Sequence, residues 1–243
     1  MGLFRRLFPP ALALVSLLTL SGQGAALPAK RVLPLVVDPP AVFDAPLPAS
    51  RPVSAGWFSD AAFIGDSRTE ELLSSGLFSA GLGLTQTGLN VRDLRSGAPF
   101  FLGADRATLR QMLEGSGCGK IYLMLGFNEA SWMSGEDFYE DCSLLIDDLR
   151  SILPQAQIYL QTLLPVTVSR SASRVPDNAL LSRQNAVLVR LAQNKRVYLV
   201  PVGDYFTEAN GALAPDLSSD GLHLTAQGNV RWFQYLRTHT MGT

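Results

Sequence analysis

From residue 57 onward, short apolar runs alternate with longer stretches whose apolar positions fall three and four apart. The short runs, bounded by Gly, Pro, Asn or Asp, read as buried strands, and the longer stretches read as amphipathic helices. In order they predict strand Ala61–Ile64, helix Thr69–Ser75, strand Gly83–Thr87, helix Asp105–Glu114, strand Ile121–Leu125 and helix Glu136–Leu153. Strand Gln157–Thr162, helix Asn178–Asn194, strand Val197–Val202 and helix Thr225–Thr238 follow. Strands that alternate with helices form a parallel sheet, because right-handed crossovers carry the helices onto its faces. The pattern therefore predicts one α/β domain over residues 57–243, with five parallel strands in the order 2-1-3-4-5.

The chain before residue 57 has a different character. Arg5 and Arg6 precede the apolar run Ala11 to Leu20 and then the small residues Ser21 to Ala26. This is the order of a secretory signal, so residues 1–26 are either a signal peptide cleaved after Ala26 or an uncleaved membrane anchor. The run is shorter than the ~20 apolar residues of a comfortable span. Both readings place the domain outside the cytoplasm, with membrane contact only through this segment. Residues 27–56 carry seven prolines, at 28, 34, 39, 40, 46, 48 and 52. Such a segment cannot form helix or inner strand. It is either an extended spacer or a strap laid across the domain through Val36, Val37 and Phe43.

Composition narrows the function classes. At 243 residues and 47% hydrophobic the chain can build a substantial core. Lys and Arg number 20 against 21 Asp and Glu, so nothing in the charge balance favours nucleic-acid binding. The two cysteines of an exported chain invite a disulfide. Cys118, however, falls at the lower end of the third strand, and Cys142 in the upper half of the helix descending from its top. That separation exceeds the ~7 Å Cα limit for a bridge, so two free thiols are expected.

Ligands of a parallel sheet bind beyond the carboxyl ends of its strands, and those loops hold the candidate chemistry. Ser67 follows the first strand in Gly65-Asp66-Ser67-Arg68; taken alone it reads as a helix N-cap. Gly88 follows the second strand, where a backbone N–H could approach a ligand. Gly126-Phe127-Asn128-Glu129 follows the third and offers a side-chain amide. After the fourth runs Leu163–Val175, a long polar loop with Arg170 and Arg174, either a specificity element or a solvated excursion. The last helix is preceded by Asp220-Gly221-Leu222-His223. The only other histidine, His239, lies in a C-terminal tail expected to fray. An aspartate three residues before a histidine can accept from Nδ1–H and leave Nε2 free to take a proton from Ser67. Serine, aspartate and histidine in that chain order are one of several arrangements of the triad.

Together these blocks resemble the SGNH (GDSL-like) hydrolase family over roughly residues 58–238. Gly65-Asp66-Ser67-Arg68 resembles the nucleophile block in a GDSR variant, Gly88 the glycine block, Gly126-Phe127-Asn128-Glu129 the Gly-x-Asn-Asp block, and Asp220-Gly221-Leu222-His223 the Asp-x-x-His block. Arg68 stands where many members have leucine, and Glu129 where the usual residue is aspartate. The resemblance implies a flavodoxin-like three-layer α/β/α sandwich and ester hydrolysis through an acyl-enzyme. Ser67 would be the nucleophile, His223 the base, Asp220 its orienting partner, and the N–H groups of Ser67 and Gly88 with the Asn128 amide the oxyanion hole. No metal or cofactor is implied. The expected substrate is a short acyl ester, acetyl first, on an extracellular glycan or small molecule, handled by a monomer. Trp132 either stacks on a sugar or packs at the rim, and Arg170 and Arg174 are further candidates for substrate binding. An O-acyltransferase and a non-catalytic surface-binding module of the same fold are the alternatives.

Overall fold

The structure is a computed structural model that describes residues 43–102 and 105–242. The signal or anchor, residues 1–26, lies outside the described residues, as do Val36 and Val37. In chain order the elements are β1 (Ala61–Gly65), α1 (Ser67–Ser74), β2 (Leu82–Thr85), α2 (Val91–Arg95), β3 (Phe100–Leu102), β4 (Asp105–Ala107) and α3 (Leu109–Leu113). Then come β5 (Lys120–Met124), α4 (Gly135–Ile152), β6 (Gln157–Gln161), α5 (Val168–Ser173), α6 (Asn178–Lys195), β7 (Tyr198–Val200), α7 (Val202–Phe206) and α8 (Ala226–Thr238).

Five strands pair in parallel in the order β2-β1-β5-β6-β7. Counting sheet strands alone, this is the expected 2-1-3-4-5. Every residue of β1 and β5 is buried, as central parallel strands covered on both faces must be. From β1 the chain crosses through α1 to β2 on one side, whereas β5, β6 and β7 step away on the other. Right-handed crossovers therefore place α1 on one face and α4 and α6 on the opposite one. Helix α8 packs against α1, while α2 and α6 pack against α4, giving three layers.

One row of side chains ties the sheet together. Phe63, Tyr122, Tyr159 and Tyr198 are register partners on successive strands. Their rings follow one another at centroid distances of 5.0, 4.6 and 5.1 Å. Phe43 extends the row by packing on Tyr198 at 5.0 Å. Beyond it the chain runs along the domain: Leu47 is buried and its N–H donates to Leu199, and the Ser50 and Val53 N–H groups donate to the carbonyls of Thr238 and Arg237. Residues 43–53 thus lie as a strap against β7 and the end of α8.

The structure departs from the predicted elements where tertiary contacts or local caps override periodicity. Residues Asp105–Ala107 of the predicted helix pair with Phe100–Leu102 as an antiparallel hairpin. The helix begins only after Thr108, which forms a capping box with Gln111. The fifth strand stops at Val200, because Pro201 has no N–H to continue a ladder; the Gly203 N–H goes to Thr162 Oγ1 and the chain turns into α7. The predicted loop Leu163–Val175 contains α5, capped by Thr167. His239 is not frayed: its ring stacks on Tyr235 at 3.7 Å. Both cysteines are buried free thiols, and no described helix is long and apolar enough to cross a membrane.

Candidate active site

Asp66, not Ser67, caps α1. The Asp66 carboxylate accepts from the Arg68 N–H at 3.1 Å, and Ser67 is the first helical residue. Its hydroxyl is therefore free of the capping role, and as first residue of the helix its own N–H has no intrahelical acceptor. Gly65 is required by close packing, since a Cβ there would stand 2.2 Å from Thr69 Oγ1 and 2.9 Å from the Met124 carbonyl. Strand and helix can meet this tightly only without a side chain at the join.

Across the sheet edge, Asp220 organises its own turn. One carboxylate oxygen accepts from the N–H groups of Leu222 and His223, both at 2.8 Å, and from Ser218 Oγ at 3.2 Å. The other lies 2.7 Å from His223 Nδ1. Gly221 occupies the left-handed region with φ +82°, and a Cβ there would meet Thr167 Oγ1 and Arg170 Cβ, so the turn is pressed against α5. His223 Nε2 lies 3.0 Å from Ser67 Oγ. Burial works against a charged Asp220, but the hydrogen bonds from His223 and from the Leu222 and His223 N–H groups outweigh it and hold its pKa below the carboxylate range. An ionised carboxylate only accepts hydrogen bonds, so Nδ1 carries the proton and Nε2 is the acceptor for the serine hydroxyl.

The third side of the site is built from β2 and β5. Gly88 sits exposed at φ +77° in a turn closed by the Leu89 N–H donating to the Gln86 carbonyl at 3.0 Å. Positive φ at that position calls for glycine. Asn128 Nδ2 donates to the Leu89 carbonyl at 3.0 Å and lies 3.5 Å from Asp66 Oδ2. The Asn128 amide thereby ties the loops after β1, β2 and β5 to one another. Trp132 is 52% exposed, and its Nε1 donates to the Asn128 carbonyl at 2.6 Å.

Two side chains contribute in ways the sequence motifs do not reveal. Glu129 is fully buried and accepts from the Val91 N–H at 2.5 Å, so it reaches across to the start of α2. Burial raises its pKa to about 7, against the pull of the Val91, Glu129 and Gly126 N–H groups. Arg68 is buried as well, and the burial lowers its pKa. It turns inward over the Phe127 ring at 4.3 Å and donates from Nη1 to the Leu164 carbonyl at 2.9 Å, joining the α1 start to the loop after β6. Chain length at positions 68 and 129 was the only available hint of these contacts. Arg170 and Arg174 lie on and just after α5, beside Asp220. Among the described residues no group of three His, Cys, Asp or Glu could hold a metal ion.

The GDSL-like Lipase/Acylhydrolase family matches residues 63–231. No curated protein matches the chain. Among solved structures, a Streptococcus pneumonia protein whose name refers to platelet activating factor is 24% identical over 73% of this chain and 79% of its own, with a TM-score of 0.58. A lipase/acylhydrolase from Enterococcus faecalis is 15% identical over 73% of this chain and 92% of its own, with a TM-score of 0.55. Axe2, an acetylxylan esterase from Geobacillus stearothermophilus, is 15% identical over 72% of this chain and 91% of its own, with a TM-score of 0.53. At these identities the likeness is one of fold, while the family match spans the serine, asparagine and Asp-x-x-His blocks. The chain belongs to the GDSL-like lipase/acylhydrolase family of carboxylic ester hydrolases.

Proposed function

We propose that the protein removes short acyl groups, acetyl above all, from carbohydrate through an acyl-enzyme formed on Ser67. The observation that carries this reading is the continuous chain from Ser67 Oγ to His223 Nε2 at 3.0 Å and from His223 Nδ1 to Asp220 at 2.7 Å. Ser67 Oγ attacks the ester carbonyl while its proton passes to Nε2. The oxyanion is received by the N–H groups of Ser67 and Gly88 and by the Asn128 amide, which exchanges its long 3.5 Å hydrogen bond to Asp66 for the oxyanion. Collapse of the tetrahedral intermediate breaks the bond to the sugar oxygen, which leaves with the proton from Nε2. Water, deprotonated by His223, then releases the carboxylic acid and restores the serine. Ionised Asp220 stabilises the imidazolium at both steps.

The choice of an acetylated glycan draws on the exposed Trp132 beside the oxyanion loop and on the fold shared with an acetylxylan esterase. Action outside the cytoplasm draws on the order of residues 1–26 alone. Incubating the purified protein with p-nitrophenyl acetate, acetylated xylo-oligosaccharide and a fluorophosphonate probe tests the reading. Turnover of both esters is expected, with labelling of the wild type and none of Ser67→Ala. An unlabelled, inactive wild type overturns the serine mechanism, and turnover of the phenyl ester alone overturns acetylated xylan as the carbohydrate.

A further inference from the structure

Most arginines of the domain are engaged. Arg92 and Arg95 pair with Asp141, Arg110 with Glu114 and Arg190 with Glu136, while Arg150 and Arg237 donate to backbone carbonyls. Arg106, Arg196 and Arg231 lie over aromatic rings, and besides the exposed Arg51 that leaves Arg170 and Arg174. Among the described residues neither guanidinium forms an ion pair or donates a hydrogen bond, and Arg170 Nη1 is buried without a partner. A buried N–H of a charged group left unsatisfied is costly and calls for an acceptor.

The two side chains face one cavity of about 360 Å³, lined by Ser169, Arg170, Ser173, Arg174, Asp220 and Leu222. Its position is fixed from behind. The Thr167 N–H donates to the Gly221 carbonyl at 3.0 Å, and Arg170 Cβ stands where a side chain on Gly221 would clash. The loop carrying α5 is held in turn by Asn178, which both accepts from and donates to the Val166 backbone, and by Asn185, which does the same for Leu163. Asp220 is the one carboxylate in the lining. Its oxygens accept from His223, two backbone N–H groups and Ser218 and from neither guanidinium, so the arginine donors stay unused by it. The cavity meets the proposed triad at Asp220, which is joined through His223 to Ser67 Oγ.

We infer that this cavity is an anion subsite: Arg170 and Arg174 receive a carboxylate or phosphate carried by the substrate, beside the ester cleaved at Ser67. The inference rests on the esterase reading and narrows it to esters of acidic sugars, with a uronic acid carboxylate as the expected group. A guanidinium fork matches the two oxygens of a carboxylate. The neutral xylan backbone would leave the cavity empty.

The test compares acetate release from three acetylated sugars: a methyl glucuronoside, a methyl glucoside and glucose 6-phosphate. The wild type is expected to favour the glucuronoside over the glucoside about tenfold or more in kcat/KM, the scale of one charge-assisted contact. That ratio should fall toward one in R170Q/R174Q and part-way in R174Q, whose side chain is exposed and whose folding is therefore safe. Added salt should lower the wild-type ratio. A larger preference for the phosphate ester, lost in the same variants, supports the subsite and makes phosphate its anion. A wild-type ratio near one, or a preference that survives in R170Q/R174Q, overturns the inference while fluorophosphonate labelling leaves the esterase reading standing. If no ester is turned over, calorimetry on Ser67→Ala decides the subsite separately. Equal binding of acetylated glucuronoside and glucoside then overturns it, and tighter binding of the glucuronoside supports it.

Discussion

Asp220 and Glu129 stand on two sides of the candidate nucleophile, and their surroundings push their proton affinities in opposite directions. Asp220 is half exposed, in a turn whose N–H groups converge on it, and its pKa lies below the usual carboxylate range. Glu129 has no exposed surface, and burial outweighs its backbone donors so that its pKa rises to about 7. One carboxyl is kept charged beside water and against His223, as the proposed mechanism requires of the group that stabilises an imidazolium. The other is a buried strut between the loop after β5 and the start of α2. The two-sided construction separates charge that serves chemistry from polarity that serves geometry.

The sharpest way to break the comparison is Asp220→Asn. An amide can present its oxygen to the two backbone N–H groups or to His223 Nδ1–H, but it brings no charge and permits the wrong tautomer. A fall in kcat of about 10⁴-fold is expected, with an unchanged fold. Stopped assays with p-nitrophenyl acetate and circular dichroism measure both, and near-wild-type turnover would remove Asp220 from the triad. On the other side, Asn128→Ala deletes the amide that both fixes Leu89 and offers an N–H to the oxyanion. We expect a loss of about 3 kcal/mol in transition-state stabilisation, or about a hundredfold in kcat, with KM little changed.

The asymmetry between the two sides also governs how much the sequence reveals. Asp220 and His223 are three residues apart, so their pairing follows from local turn geometry and is legible in the motif. The five strands are legible because buried parallel strands are continuous apolar runs, as in Ala61–Gly65 and Lys120–Met124. Glu129 meets Val91 across 38 residues, and no local pattern specifies a carboxylate reaching a distant helix start. Helix α2 is a single turn that depends on that contact and on its Asn90 cap. Strand β4 hides inside a helical spacing for the same reason, since its pairing with β3 is set by the strand register. Arg68 reads as a polar residue beside the nucleophile; only the packed structure turns it inward against Phe127 and Leu164.

Glu129→Gln sharpens the comparison through pH. A carboxyl whose pKa is raised on folding, here from 4.5 to about 7, binds a proton in the native state that the unfolded chain has already lost. Stability from this group is therefore fully present below the unfolded value, declines as pH rises between the two, and is flat above the folded one. A shift of this size corresponds to about 3 kcal/mol, to order of magnitude. Urea unfolding at acid and at mildly alkaline pH is expected to show that decline in the wild type and to lack it in Glu129→Gln, which keeps an acceptor for the Val91 N–H. An identical pH dependence in both proteins would mean that folding leaves the proton affinity of Glu129 unchanged.

The smallest expected effect concerns the rim between the two sides. Trp132 holds the Asn128 carbonyl through Nε1 and has Arg92 over its ring at 5.4 Å, yet remains half exposed. Burial would be the natural state of a tryptophan used for packing alone; exposure of a ring held so firmly suits contact with a flat apolar sugar face. Stacking of this kind is worth about 1 kcal/mol. Trp132→Phe keeps a ring but loses the hydrogen bond, and Trp132→Ala loses both. If the ring meets the sugar, Trp132→Ala raises KM for acetylated oligosaccharide about fivefold, a factor in keeping with that energy, while p-nitrophenyl acetate, too small to reach it, is turned over with little change in KM. The phenylalanine variant should recover much of the oligosaccharide KM. Equal losses on both substrates would instead assign Trp132 to holding the Asn128 loop, and would move it from the substrate's side of the rim to the scaffold's.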